Sequence, residues 1–123
     1  MDNVFKENPI LILKAVRQSA GSKEGLPADF EKEAAENAQL LKKCPRREIR
    51  EEMDNVLMCD NAEDILREYF KCGILKVILP ELDRCFYEKQ RNKYHIYNVG
   101  EHILHVVSGT PKIPALRWAA LLH

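Results

Sequence analysis

Residues 94–123 read YHIYNVGEHILHVVSGTPKIPALRWAALLH, and this stretch decides how the rest of the chain is interpreted. It contains all four histidines of the 123-residue chain, namely His95, His102, His105 and His123. Apolar residues recur at helical spacing on both sides of Gly109-Thr-Pro111, which predicts two helices joined by a break. Because the second apolar pattern is still running at His123, we expect this helix to be cut from a longer protein.

Three amphipathic helices are predicted in the first half of the chain. The first opens at Asn8-Pro9, because asparagine is a good N-cap and proline suits the first helical turn. The second follows Pro27 and is stopped by Pro45, since a proline disfavours helical backbone in the residue before it. The third runs from about Pro45 to Met58, with a stripe of apolar residues on its inner face.

A fourth helix is predicted after residue 60. Asp60 and Glu63 have the spacing of a capping box, in which two side chains satisfy free backbone N–H groups at a helix start. Gly73 fits the left-handed position that ends many helices. The apolar run Ile74–Leu79 predicts a helical turn, with a short strand as the alternative.

The predicted fold class is all-α, a bundle or array of about six to seven helices in two sub-regions. We find no convincing alternating strand pattern and no internal repeat. The charged segment 83–93, DRCFYEKQRNK, predicts a linker between a helical region at 1–82 and the histidine-bearing region at 94–123.

Composition excludes several classes of protein. The charges balance at 19 against 19 and 46% of residues are hydrophobic, so we expect a globular chain that is no general polyanion binder. No signal peptide is visible and the apolar runs are too short to span a bilayer, which predicts a cytoplasmic protein without membrane contact. The four cysteines lack a CxxC spacing, so we expect reduced thiols that serve packing.

A dense group of basic residues, here called the basic cluster, lies where the second and third predicted helices meet. Its members are Lys42, Lys43, Arg46, Arg47 and Arg50. Arginines at such a corner can hold RNA phosphates through bidentate hydrogen bonds. The interleaved Glu48, Glu51 and Glu52 allow the alternative that the cluster is a solvated face with internal ion pairs.

Two weaker sites complete the candidates. His102 and His123, on neighbouring predicted helices, could share a metal ion, although two ligands need carboxylates to complete the shell. The alternative is a half-buried histidine that binds a backbone carbonyl, and His95 and His105 are interpreted as ordinary helix-face residues. Glu7-Asn8 could read a base edge by hydrogen bonds, with plain helix capping as the alternative.

Three stretches of this chain resemble the bacterial tRNA nucleotidyltransferase (CCA-adding enzyme) and poly(A) polymerase family. FKENPILILKAVR at 5–17 is similar to the family's neck motif, and NAQLLKKCPRREIREEM at 37–53 to its RNA-binding neck and body. YHIYNVGEHILHVV with LRWAALLH resembles the opening of an HD domain. The resemblance implies an RNA-binding neck and body at 1–82 and the N-terminal part of an HD domain at 94–123.

The resemblance also implies specific roles. In the family, the Asp and Arg of the neck motif template CTP or ATP; this chain has Asn8 and Leu11 there, and Leu11 cannot make the arginine contact. His102 and His123 match the metal-binding histidines of a complete HD domain, which could hold a divalent metal. The family's catalytic head, with its paired aspartates for Mg²⁺, has no counterpart here. We therefore expect tRNA contact through the basic cluster, and neither nucleotide transfer nor a cofactor in this chain alone.

Two other functions remain open at this stage. The chain could be part of a metal-dependent HD phosphohydrolase, or a structural or regulatory helical module without RNA contact. Apolar faces near Val106, Leu116 and Leu121 would be uncovered, which predicts a homodimer as one outcome.

Overall fold

The computed structural model describes residues 4–20, 28–87 and 99–122, and every regular element in these ranges is helical. The nine α-helices of the described residues are α1 (Val4–Glu7), α2 (Ile10–Ala20), α3 (Ala28–Asn37), α4 (Arg46–Leu57), α5 (Ala62–Lys71), α6 (Ile74–Ile78), α7 (Pro80–Cys85), α8 (Val99–Ser108) and α9 (Pro114–Leu121). A 3₁₀ helix, Ala38–Lys43, joins α3 to α4. Six of the α-helices have eight or more residues, so the all-α prediction is confirmed. No described helix has the length and apolar character to cross a membrane.

Helix α5 lies at the centre of the core and packs against α2, α4, α6 and α8. Its apolar face is fully buried through Ile65, Leu66 and Tyr69. The Tyr69 hydroxyl donates a hydrogen bond of 2.9 Å to the carbonyl oxygen of Leu13 on α2. This bond satisfies the one polar group of a buried ring, so tyrosine can occupy the core without leaving a donor unpaired.

The helix boundaries follow the prolines and one glycine. Helix α2 starts after Pro9, with the Leu11 N–H bonded to the Asn8 carbonyl at 3.0 Å. Gly73 adopts φ 76°, the left-handed conformation that ends α5. Residues 74–78 then form α6, so the helical interpretation of this run is confirmed and the strand alternative is wrong.

The predicted capping box is wrong. Helix α5 begins at Ala62, and Asn61 takes the N-cap position without a side-chain capping bond. Asp60 instead pairs with Lys112, and Glu63 pairs with Arg67. Both carboxylates form ion pairs with cationic side chains, and Lys112 is distant in the sequence. These ion pairs are formed in place of the predicted capping bonds to the backbone.

The first residues of the predicted linker belong to the folded core. Helix α7 extends to Cys85, and both Asp83 and Phe86 are buried. The Phe86 ring stacks on Phe70 with ring centroids 4.3 Å apart. Residues 88–93 lie outside the described residues, and the division into two sub-regions stays a prediction.

The apolar residues expected to be uncovered on the last two helices, Val106, Leu116 and Leu121, are only partly exposed as predicted. Val106 is 40% exposed, whereas Ile103, Leu104 and Val107 face the core. Leu121 is buried, and Leu116 and Leu122 are the exposed leucines of this region. Val106 and Leu116 are therefore exposed as predicted, Leu121 is not, and self-association through the exposed residues stays a prediction.

Candidate nucleic-acid interface

The basic cluster occupies a sharp corner between the 3₁₀ helix and α4. Cys44 and Pro45 have extended backbone, with ψ of 142° and 137°, so the chain turns between the two helices. Lys42 and Lys43 close the 3₁₀ helix, while the three arginines lie in the first turns of α4. All five cationic side chains are exposed.

Most of the basic cluster is not neutralised by the glutamates interleaved with it. Arg47 donates to Glu51 at 3.2 Å, and both side chains are well exposed. Among the described residues, the other four members make no ion pair with a carboxylate: Lys42, Lys43, Arg46 and Arg50. The corner therefore keeps at least four positive charges that can meet an anionic ligand.

Glu52 is withdrawn from this surface because it is buried against another helix. Its carboxylate accepts hydrogen bonds from Arg17 Nε at 3.0 and 3.3 Å and from Asn55 Nδ2 at 3.3 Å. A second guanidinium nitrogen of Arg17 lies 3.0 Å from the same carboxylate, whose side chain is only 1% exposed. The pair connects α2 to α4 and explains how a charged side chain can be buried here.

An open groove of about 840 Å³ adjoins the basic cluster. Its walls come from three parts of the sequence, residues 41–53, 77–81 and 118–122. Apolar side chains such as Ile49, Met53 and Val77 line it, and Lys42, Arg46 and Arg50 stand among its lining residues. The arrangement offers an apolar surface next to unpaired positive charge.

Helix α9 completes this groove and is anchored by two polar side chains. Arg117 is buried, and its Nη1 donates to the carbonyl oxygens of Leu57 at 2.9 Å and Cys59 at 3.2 Å. Trp118 lines the groove, and its Nε1 donates to Asp54 Oδ1 at 2.5 Å. Sequence reasoning missed both contacts, although a single arginine inside the apolar run 114–122 was a signal of a buried, satisfied charge.

Three polar residues lie close together at α8, and they are not the predicted metal ligands. His105, Glu63 and Glu101 offer ligand atoms within 4.8 Å of one another, whereas half-buried His102 is not in this group. His123 and His95 lie outside the described residues. The predicted pairing of His102 with His123 is therefore untested, and with it the phosphohydrolase hypothesis.

Arg67 lies within the Glu63–Glu101–His105 group and changes its chemistry. Its guanidinium donates to Glu101 at 2.8 and 3.0 Å and to Glu63 at 2.7 Å. Although burial acts in the opposite direction, hydrogen bonds from Arg67 and from Ser108 hold the pKa of Glu63 below its usual value. The two carboxylates already have a cationic partner, so we interpret the group as an ion-pair network between α5 and α8.

Of the predicted nucleotide-contacting residues, Glu7 is the last residue of α1 and Asn8 lies between α1 and α2, and both are exposed. The Asn8 carbonyl is used by the first turn of α2, as described above, and Leu11 packs half-buried against the core. No described contact tests nucleotide binding by Glu7 and Asn8, so this role stays a prediction.

Comparison with known proteins connects this geometry to a family. Residues 26–86 match the family described as "Probable RNA and SrmB-binding site of polymerase A", and this range includes the whole basic cluster. The chain is 31% identical to the Multifunctional CCA protein of Alkalilimnicola ehrlichii and to that of Methylobacillus flagellatus. It is 26% identical to the Bifunctional uridylyltransferase/uridylyl-removing enzyme of Rhodopseudomonas palustris.

These alignments cover most of this chain but a small part of the relatives. The two CCA protein alignments span 97% of this chain and 31% of each relative, and the third spans 90% of this chain and 12% of the relative. No solved structure matches. The family match over the helices that carry the basic cluster, together with similarity along nearly the whole sequence, shows that the chain belongs to the CCA-adding enzyme and poly(A) polymerase family and includes the RNA-binding region of that family.

Proposed function

We propose that this chain positions tRNA for processing of its 3′ end, with the basic cluster contacting phosphates of the acceptor region. The observation that carries the proposal is the corner at Pro45, where four exposed cations lack a carboxylate partner among the described residues. The resemblance to tRNA nucleotidyltransferases supports tRNA 3′-end addition as the setting, and the similarity to Multifunctional CCA proteins agrees with it.

The chemistry of the corner suits phosphate. Arg46 and Arg50 lie four residues apart on α4 and share a helical face, so both guanidinium groups can reach neighbouring phosphates in the bidentate mode. Lys42 and Lys43 add mobile point charges beside them. The N-terminal end of α4 begins at Arg46 and adds the positive end of a helix dipole to the same surface.

Within this proposal the chain positions substrates and does not itself transfer nucleotides. The resemblance places the polymerising Mg²⁺ site in a head domain, and residues 1–123 contain neither a Gly-rich phosphate loop nor paired aspartates of that kind. CTP or ATP would then be bound by a protein that contains the head. Holding tRNA in register contributes to such a reaction by orientation alone.

The test is tRNA binding by the purified chain at several salt concentrations, beside an Arg46→Ala/Arg47→Ala/Arg50→Ala variant. Each phosphate contact steepens the plot of log K against log salt by about 0.7–0.9. A variant that has lost two to three contacts should therefore show a slope that is shallower by about 1.4–2.7. A matched control removes three exposed cations elsewhere, Lys32→Ala/Lys76→Ala/Arg84→Ala. Equal losses in both variants, or no binding by the native chain at low salt, would contradict the proposal.

A further inference from the structure

The groove beside the basic cluster combines an apolar lining with positive charge at its edge, and phosphate contacts alone do not explain the apolar lining. Ile49, Met53 and Val77 give it an apolar lining, whereas Arg46 and Arg50 place unpaired positive charge at its edge. The one carboxylate among its lining residues, Glu81, has Arg84 3.8 Å away. A ligand that matches this groove presents an apolar or aromatic face to the lining and an anion within reach of Arg46 and Arg50.

We propose that the groove binds one unpaired nucleotide of the RNA, with the base against the apolar lining and its phosphate at Arg46 and Arg50. The inference rests on the proposed function and adds a defined site to it. The volume of about 840 Å³ lies in the range of small-ligand sites, which is about 300–1,000 Å³, and a nucleotide fits such a space.

The base must be unpaired because the faces of paired bases are covered by their neighbours in a duplex. Single-stranded nucleotides expose these faces, and proteins bind them by combining cationic side chains with apolar or aromatic surfaces. A purely apolar protein segment would fill the groove but leave Arg46 and Arg50 without an anion. Charge complementarity therefore favours a nucleotide as the occupant.

Trp118 provides a direct probe of this site. It is the only tryptophan of the chain, and it lines the groove with its indole nitrogen bonded to Asp54. Any occupant of the groove changes the surroundings of this one fluorophore, whereas phosphate contacts at Lys43 and Arg47, which are not among the lining residues, leave it unchanged.

The experiment compares an RNA hairpin that has a short 3′ single-stranded overhang with the same hairpin made blunt. A label on the RNA reports binding by anisotropy, and Trp118 fluorescence reports occupation of the groove. We expect the overhang RNA to bind at least about tenfold more tightly, as stacking of one base allows, and to quench Trp118. The blunt RNA should bind without quenching.

Two leucine variants separate the groove from the charged corner. Leu122 lines the groove and is 65% exposed, whereas Leu116 is 45% exposed and is not among the lining residues. Leu122→Gln should lose the preference for the overhang and keep the affinity for blunt RNA, and Leu116→Gln should behave as the native chain. If both RNAs bind equally without quenching, the groove proposal is overturned and the proposed function stands. If neither RNA binds, both proposals fail.

Discussion

Arg117 Nη1 lies 2.9 Å from the carbonyl oxygen of Leu57, at the point where α4 ends. The last carbonyl groups of a helix have no partner inside the helix and carry the negative end of its dipole. A buried guanidinium satisfies them and is itself satisfied, since it also donates to the carbonyl oxygens of Cys59 and Thr110. Together with the bond from Trp118 to Asp54, this side chain holds α9 against α4, beside the groove that Trp118 lines.

Replacing Arg117 by methionine should destabilise the fold. The substitution keeps an apolar stem of similar length but leaves buried carbonyl groups without a donor, which costs about 1–3 kcal/mol. Chemical denaturation measures the free energy of unfolding. Arg84→Met is the matched control, because Arg84 is 69% exposed and should change stability by no more than about 0.5 kcal/mol. Similar losses in both variants would show that the buried contacts contribute little.

Much of the fold could be predicted from residue spacing, because helical periodicity and the punctuation by proline and glycine are local signals. Helix α2, the 45–58 helix and the left-handed Gly73 follow from them. The prediction of a capping box was wrong because Asp60 forms an ion pair with Lys112, which lies 52 residues away in the sequence. The packing of Phe86 on Phe70 was not predicted, because the charged sequence around Phe86 does not reveal such a contact.

Gly100 should not accept a side chain. A Cβ at this position would lie 2.5 Å from two carbons of the Phe86 ring, and that ring is stacked on Phe70. Gly100→Ala should therefore cost about 1–3 kcal/mol of unfolding free energy, as other overpacked cores do. The control is Gly109→Ala, whose new Cβ would meet its nearest atom at an ordinary 3.6 Å. A neutral Gly100→Ala would mean that the Phe86 ring can move aside.

The residues of the basic cluster were easier to predict than the ion pairs that these residues form. The five basic residues stand close together in the sequence, so spacing alone located them. Their pairing could not be predicted, because one of the interleaved carboxylates, Glu52, is buried against Arg17, which lies 35 residues away in the sequence. The groove could not be predicted either, because its lining comes from three separated segments, 41–53, 77–81 and 118–122.

The network between α5 and α8 should make stability depend on acid. The pKa of Glu63 is lowered in the folded chain, so its contribution is present above the unfolded-state pKa of about 4.3 and is lost as pH falls through the lower folded-state value. Glu63→Gln should therefore be less stable than the native chain at pH 6, with the difference shrinking below about pH 4. Glu81→Gln, at a 79% exposed carboxylate, is the control and should give a curve parallel to the native one. A constant deficit for Glu63→Gln across this range would contradict the ionic origin.

Cys72 should be the least reactive thiol of the native chain. Burial, with smaller contributions from Glu31 and Glu68, raises its pKa to about 12, and the attacking species is the thiolate. At pH 8 a maleimide should modify the half-buried cysteines, Cys59 among them, before Cys72, whose labelling should be limited by opening of the core. Mass spectrometry of time points identifies the order, and in denaturant Cys72 should react as fast as Cys59. Rapid native labelling of Cys72 would show that the contact between α5 and α6 opens readily, because this residue lies between these two helices in the sequence.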